Sequence, residues 1–179
     1  MKKILILVLF IVVFLTGCNS SKSASRVVEE YLLSFINADK NVKEEINTVI
    51  DAADYSNDNK KLYKEILLRQ YKDLKYDIIK EEYGDDKALI TVNINVYDLK
   101  KSEEEALDYL SSNMVEFYDD NNVFDNNKYL SYKLNLMKNT SVRNNYEIVF
   151  FLKQKKGTWV LEQPTDQDLE KIHGIYIDE

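Results

Sequence analysis

Two runs of strict alternation constrain most strongly what this chain can become. Ala88, Ile90, Val92, Ile94 and Val96 alternate with Leu89, Thr91, Asn93, Asn95 and Tyr97, and Tyr146, Ile148, Phe150 and Leu152 repeat the pattern nearer the C-terminus. A period of two sends successive side chains to opposite faces of a strand. Each run therefore predicts a strand with one buried face and one wetter face, the habit of an antiparallel sheet. Each run also has a neighbour. Tyr76, Ile78 and Lys80 alternate with Asp77, Ile79 and Glu81 before the turn residues Gly84-Asp85-Asp86, and Lys155-Lys156-Gly157 turns the chain into Trp159 and Leu161. Two hairpins follow, and their core face is expected to hold Ile90, Val92, Ile94, Ile148, Phe150 and Trp159.

The rest of the chain keeps a helical period. Val28, Tyr31, Leu32 and Phe35 predict a helix from about Ser25 to Asn37. Asn41 with Glu44 three residues on can cap a second helix, striped by Val42, Ile46, Val49, Ile50 and Ala53. A third, from about Asp58 to Lys72, gathers Leu62, Ile66, Leu67, Gln70 and Tyr71 on one side. Between the hairpins, Ser102 and Glu105 have the spacing of a capping box, opening a helix through Ala106, Leu107, Leu110, Met114 and Phe117 to about Tyr118. Asp125 to Asn139 is two-valued. Leu130, Leu134 and Met137 fit a helix, whereas Tyr132, Leu134 and Leu136 fit a strand, and the reading leans to helix. Thr165 with Asp168 caps a last short helix containing Leu169 and Ile172, with Gly174 at its C-cap.

The fold class is α+β. Helices first, a hairpin with Lys87-Ala88-Leu89-Ile90-Thr91-Val92 on its second strand, more helix, and a closing hairpin with Gly157-Thr158-Trp159-Val160-Leu161 together resemble the cone-shaped, cystatin-like architecture of nuclear transport factor two-like domains. That resemblance covers about Ser25 to Gly174. It implies N-terminal helices packed on a curved antiparallel sheet, here with a helical insertion between the two hairpins from Leu99 to Asn139. Many small, largely uncharacterised lipoproteins of Gram-positive bacteria are similar to this.

The N-terminus reads differently. Lys2 and Lys3 precede an unbroken apolar run, Ile4 to Leu15, shorter than the roughly 17 to 25 residues of a permanent membrane span. Leu15-Thr16-Gly17-Cys18 then resembles the bacterial lipobox: an apolar residue and two small ones that fit a lipoprotein signal peptidase, followed by the acceptor thiol. This implies cleavage after Gly17 and a diacylglyceryl group on Cys18. Cys18 is the only cysteine of the chain, so no intramolecular disulfide competes for the thiol. The expected organisation is a signal peptide over 1–17, the lipidated cysteine and a flexible tether over 18–25, and a single α+β domain over 26–179.

Losing Lys2 and Lys3 with the signal peptide moves the formal charge from −7 to −9. An acidic globule is repelled by nucleic-acid phosphates and anionic headgroups. Nucleic acid and the bare membrane surface are therefore poor candidates as partners, and the anchor on Cys18 is the expected link to the cell membrane, on its extracytoplasmic side. A homodimer stays open.

Residues for catalysis are scarce. His173 is the only histidine, and its place at the end of the last helix predicts a solvent-exposed or helix-terminal charge. No catalytic residue, metal or cofactor is assigned. One histidine and a blocked thiol cannot make a four-ligand zinc site. Asp119, Asp120, Asn121, Asn122 and Asp125 lack the glycine and terminal glutamate of a calcium loop and read as a helix terminus and turn. Asp54, Asp58, Asp85 and Asp86 read as turn and cap formers. Scattered glycines at 17, 84, 157 and 174 make no phosphate cradle. The expectation is a non-enzymatic module that binds a protein or small-molecule ligand. The alternative is an isomerase or dehydratase using a buried carboxylate or tyrosine in the cone pocket. A solute-binding lipoprotein of a transporter would need two lobes and a longer chain.

Overall fold

The computed structural model describes residues 22–177. Cys18 and the motif Leu15, Thr16 and Gly17 lie outside them. The elements run α1 (Ala24–Ile36), α2 (Lys40–Ala52), α3 (Asn57–Lys72), β1 (Lys75–Tyr83), β2 (Lys87–Tyr97), α4 (Leu99–Asn113), a 3₁₀ turn (Met114–Phe117), α5 (Asn126–Asn139), β3 (Arg143–Lys155), β4 (Thr158–Leu161) and α6 (Asp166–His173). Asp125 to Asn139 is thus helical, and the insertion between the hairpins is as expected.

The four strands form one antiparallel sheet in the order β1-β2-β3-β4. Its inner face is the alternating set: Ile90, Val92 and Ile94 pair with Phe150, Ile148 and Tyr146. Ile90, Val92, Ile94, Ile148 and Phe150 are all buried. Trp159 departs from its expected place in this set. It is half-buried at the rim, packed on the core, with its ring 5.9 Å from that of Tyr83. Tyr83 belongs to β1 and Trp159 to β4, three strand spacings or roughly 14 Å apart in a flat sheet. Their contact shows that the sheet curls inward at its hairpin-turn end, across the small Ala88.

Helix α1 packs on the inner face, with α3 against α1, α2 on α3, and α6 against β2 and α3. Val28, Leu32 and Phe35 of α1, Val42, Ile46 and Ile50 of α2, and Leu67 and Tyr71 of α3 join the sheet in one core. A second, smaller core lies between α3 and the insertion, made by Ile66, Leu99, Leu130, Leu134 and Met137. Ile66 and Leu67 are neighbours in sequence and face different cores, so α3 is the wall between them.

Several local expectations change. The second helix is capped by Asp39, whose carboxylate accepts from the Val42 amide at 3.0 Å, not by Asn41. The fourth starts before Ser102: Asp98 accepts from the Lys101 amide at 2.8 Å, and Ser102 is buried one turn inside. Asp98 wins because its amide also donates to Val142 O and the Lys100 amide donates to Gly174 O, fixing the chain at the end of β2. The α4 helix ends at Asn113, passing into the 3₁₀ turn rather than running to Tyr118. In β1, the register shifts between Ile78 and Lys80, so Lys80 pairs with Thr91 on the outer face and leaves the set shared with Tyr76 and Ile78. Ile79 takes up the bulge and is 54% exposed. At the N-terminus, α1 already begins at Ala24, which is fully buried, with Ser23 as its cap, so order starts inside the stretch expected to be tether. The capping box of Thr165 and Asp168 and the left-handed Gly174 are as expected.

Candidate functional site

The apolar stripe of α2 contains one carboxylate. Val42, Glu45, Ile46 and Val49 fall at helical spacing, so the fold that buries Val42 and Ile46 carries Glu45 inward with them. Burial pushes its carboxyl up to about 7. Facing it are two tyrosines: Tyr31 of α1 and Tyr71 of α3, both held well above the usual phenol range. For Tyr31 burial is the main cause, followed by the Glu45 charge. For Tyr71 burial again leads, followed by Tyr63 and then Glu45. Burial pushes Tyr63 itself up to about 12.

His173 belongs to the same interior. The expected surface charge is instead half-buried, with its ring wedged against Tyr71 and Phe35 at centroid distances of 5.6 and 6.5 Å. The Tyr71 hydroxyl and His173 Nδ1 share a hydrogen bond of 2.9 Å. Burial lowers the imidazole pKa to about 4, so it is neutral at physiological pH. Aromatic rings pack together beside these groups. Tyr31 meets Phe35 and Phe150 edge-on at 5.3 and 5.8 Å, and Phe35 meets Tyr71 at 5.2 Å. Among the described residues, no buried side-chain nitrogen or oxygen lacks a hydrogen-bond partner.

The pH response of this cluster has two opposing arms. Glu45 is raised in the folded state, so it favours folding at low pH, and that contribution is lost as pH rises through about 7. His173 is lowered, so its contribution is present above the ordinary histidine range and lost as pH falls towards about 4. Glu45→Gln removes only the first arm. Urea unfolding should show the variant gaining about 1 kcal/mol on wild type at pH 8.5, once solvent screening of a half-buried group is allowed for. At pH 4, below the ordinary glutamate range, the difference should all but vanish. A constant difference at both pH values would mean that Glu45 does not titrate in this range.

A second charged cluster sits around Tyr97, where β2 ends. Arg69 and Arg143 lie over the Tyr97 ring at 3.8 and 4.4 Å, and the Tyr97 hydroxyl donates to Asp73 at 2.9 Å. Their donors are already engaged: Arg69 binds Lys138 O and Thr140 O, and Arg143 binds Asp73 O, Asn95 O and the Asn95 side chain. This is a clasp between chain segments.

The acidic turn is structural as well. Asp119 Oδ1 accepts from the amides of Asn121 and Val123, and Asp125 caps α5. Asp58 lies in the first turn of α3. No group of three or more acidic, histidine or cysteine residues placed to hold a metal occurs among the described residues.

On the outer face of the sheet, at the hairpin-turn end, lies a shallow depression of about 500 Å³ lined by Tyr83, Lys87, Leu89, Phe151, Lys153 and Glu162, among others. Lys153 and Glu162 form an ion pair on its rim. The one signal for Glu45 in the sequence was a charge on an apolar stripe. The depression gave none, because it depends on strands brought together from both hairpins.

No curated protein and no solved structure matches this chain. Among the described residues no helix is long and apolar enough to cross a membrane. The N-terminus does match, over residues 1–19, the family model of the prokaryotic membrane lipoprotein lipid attachment site, which supports a bacterial lipoprotein anchored to a membrane through a lipidated cysteine.

Proposed function

We propose that this lipoprotein is cut after Leu15-Thr16-Gly17, carries its lipid on Cys18, and holds a nuclear transport factor two-like domain on the extracytoplasmic face as a non-enzymatic binding or interaction module. The observation that carries the reading is the occupied interior, where Tyr31, Phe35, Tyr71 and Phe150 interlock in the space between helices and sheet. A reacting molecule would have to displace rings that stabilise the fold by burying large apolar areas. Helices α1 to α3 on one face of a four-stranded antiparallel sheet support the fold assignment.

A second reading has one observation in its favour. Glu45, raised to about 7 beside Tyr31 and Tyr71, has the protonation balance of a general acid or base. One assay separates the two. The purified mature domain is offered panels of isomerase, dehydratase and hydrolase substrates. No turnover is expected; turnover that disappears in Glu45→Gln while the fold survives would overturn the module reading in favour of the enzyme.

A further inference from the structure

The anchor restricts which part of the domain can reach the bilayer. Three residues lie between Cys18 and Lys22, so the four steps of chain span at most about 14 Å. From Lys22 onward the chain is fixed: its ammonium pairs with Glu30 at 2.8 Å and Ser23 caps α1. A globule of this size is roughly 40 Å across, so the leash is too short for the domain to present any side at will. The end where α1 begins must stay lowest.

That end is identifiable. Ser25, in the first turn of α1, lies near the Tyr83 hydroxyl at the close of β1. α1 also packs on β4. The start of α1, the β1–β2 turn and the β3–β4 turn therefore share one end of the molecule. Tyr97 and the start of α4 lie at the other end of β2, 10 residues on and about 33 Å away.

The side chains at the near end have the composition of a membrane interface. Tyr83 is 52%, Phe151 53% and Val160 38% exposed, and the half-buried Trp159 stacks edge-on against Tyr83. Phe151 pairs across β2 with Leu89. Aromatic rings with polar tips favour the headgroup level, and lysine stems can lie along apolar surface with their ammonium groups in the headgroup layer. Charge does not oppose contact here. Lys80, Lys87, Lys153, Lys155 and Lys156 match Glu81, Glu82, Asp85, Asp86 and Glu162, so this end is neutral in a chain whose surplus is acidic.

We propose that the hairpin-turn end, with Tyr83, Phe151 and Val160 exposed among lysines beside the start of α1, is the face that the anchored domain lays on the bilayer. The proposal rests on the lipid-anchored reading. The competing surface is that of the insertion, where Val115 is 78% and Val123 60% exposed.

The full lipoprotein, with lipid-modified Cys18, provides the test. Because the native thiol is blocked, a cysteine placed at Val160 or at Val115 accepts a single environment-sensitive fluorophore. Each labelled chain is reconstituted into phosphatidylcholine vesicles containing some phosphatidylglycerol, with and without nitroxide-bearing lipid. Trp159 emission and the melting curve verify the fold of each variant. The Val160 label should shift to the blue and be quenched several-fold more than the Val115 label, and Lys87→Glu with Lys153→Glu should reduce that quenching. A chain that floats with the vesicles while its Val160 label is quenched no more than the Val115 label overturns the orientation alone. Self-quenching between Val160 labels without quenching by lipid assigns the face to a second copy and also overturns it. A chain that does not float overturns the anchored reading, and the orientation with it.

Discussion

Gly174→Ala should destabilise the domain by roughly 3 kcal/mol or more, out of the 5 to 15 kcal/mol typical of a domain. Gly174 has φ +72°, in the left-handed region, where a side chain costs about 1–2 kcal/mol. The larger part of the effect is steric. A Cβ at this position would collide with Tyr97 O and Gln70 Nε2. Both atoms belong to a buried clamp in which Gln70 Nε2 donates to Tyr97 O and Ile172 O while its Oε1 accepts from the Tyr97 amide. Gln70 is 1% exposed, so a displaced amide has no water to turn to. Gly157→Ala provides the comparison. Its φ is +78°, but nothing lies within 4 Å of the added carbon, and the cost should be only about 1 kcal/mol. Urea midpoints of the two variants measure the difference. Equal losses would show that backbone strain alone sets both effects.

Cys18→Ala should abolish membrane retention of the mature domain. At about 0.8 kcal/mol per buried CH₂, two long acyl chains hold a protein firmly, whereas one gives marginal, reversible binding. No described helix offers a substitute span. Fractionation should place wild type with the membranes, and mass spectrometry should find an amino-terminal Cys18 bearing the diacylglyceryl mass. Wild type released as an unmodified chain, or a mature alanine variant still held by the membrane, would contradict the assignment. Cys18 stands out in the sequence because the motif it ends is written in contiguous residues.

The same distinction explains how much of the fold was legible. Both hairpins follow from periodicity, which is local, whereas over Asp125 to Asn139 the apolar spacing fitted a helix and a strand alike and only leaned to the helix that forms. Cap choice was harder because Asp39 competes with Asn41 and Asp98 with Ser102 within one turn. The winner at α4 was fixed by bonds from Asp98 to Val142 and from Lys100 to Gly174, partners more than 40 residues distant in sequence. His173 was misread for a similar reason. A histidine at a helix end looks exposed until Tyr71, 102 residues earlier, arrives beside it. Glu45 lay midway between these cases: its position on the apolar stripe of α2 was visible, but the tyrosines that make the position unusual were not. In β1 the alternation through Ile79 was correct in kind, and one inserted residue reversed the faces that followed it.

That insertion has a consequence for proteins sharing a membrane. Copies tethered to one bilayer diffuse in a plane, which raises their effective concentration, and β1 is the long unpaired edge that neighbours would meet. The bulge at Ile79 interrupts that edge partway along, and Lys75 and Lys80 stand on either side of it. A straight strand would invite a neighbouring chain to continue the ladder. This one offers a broken row of amides flanked by charged side chains, a poorer template for a neighbour's strand.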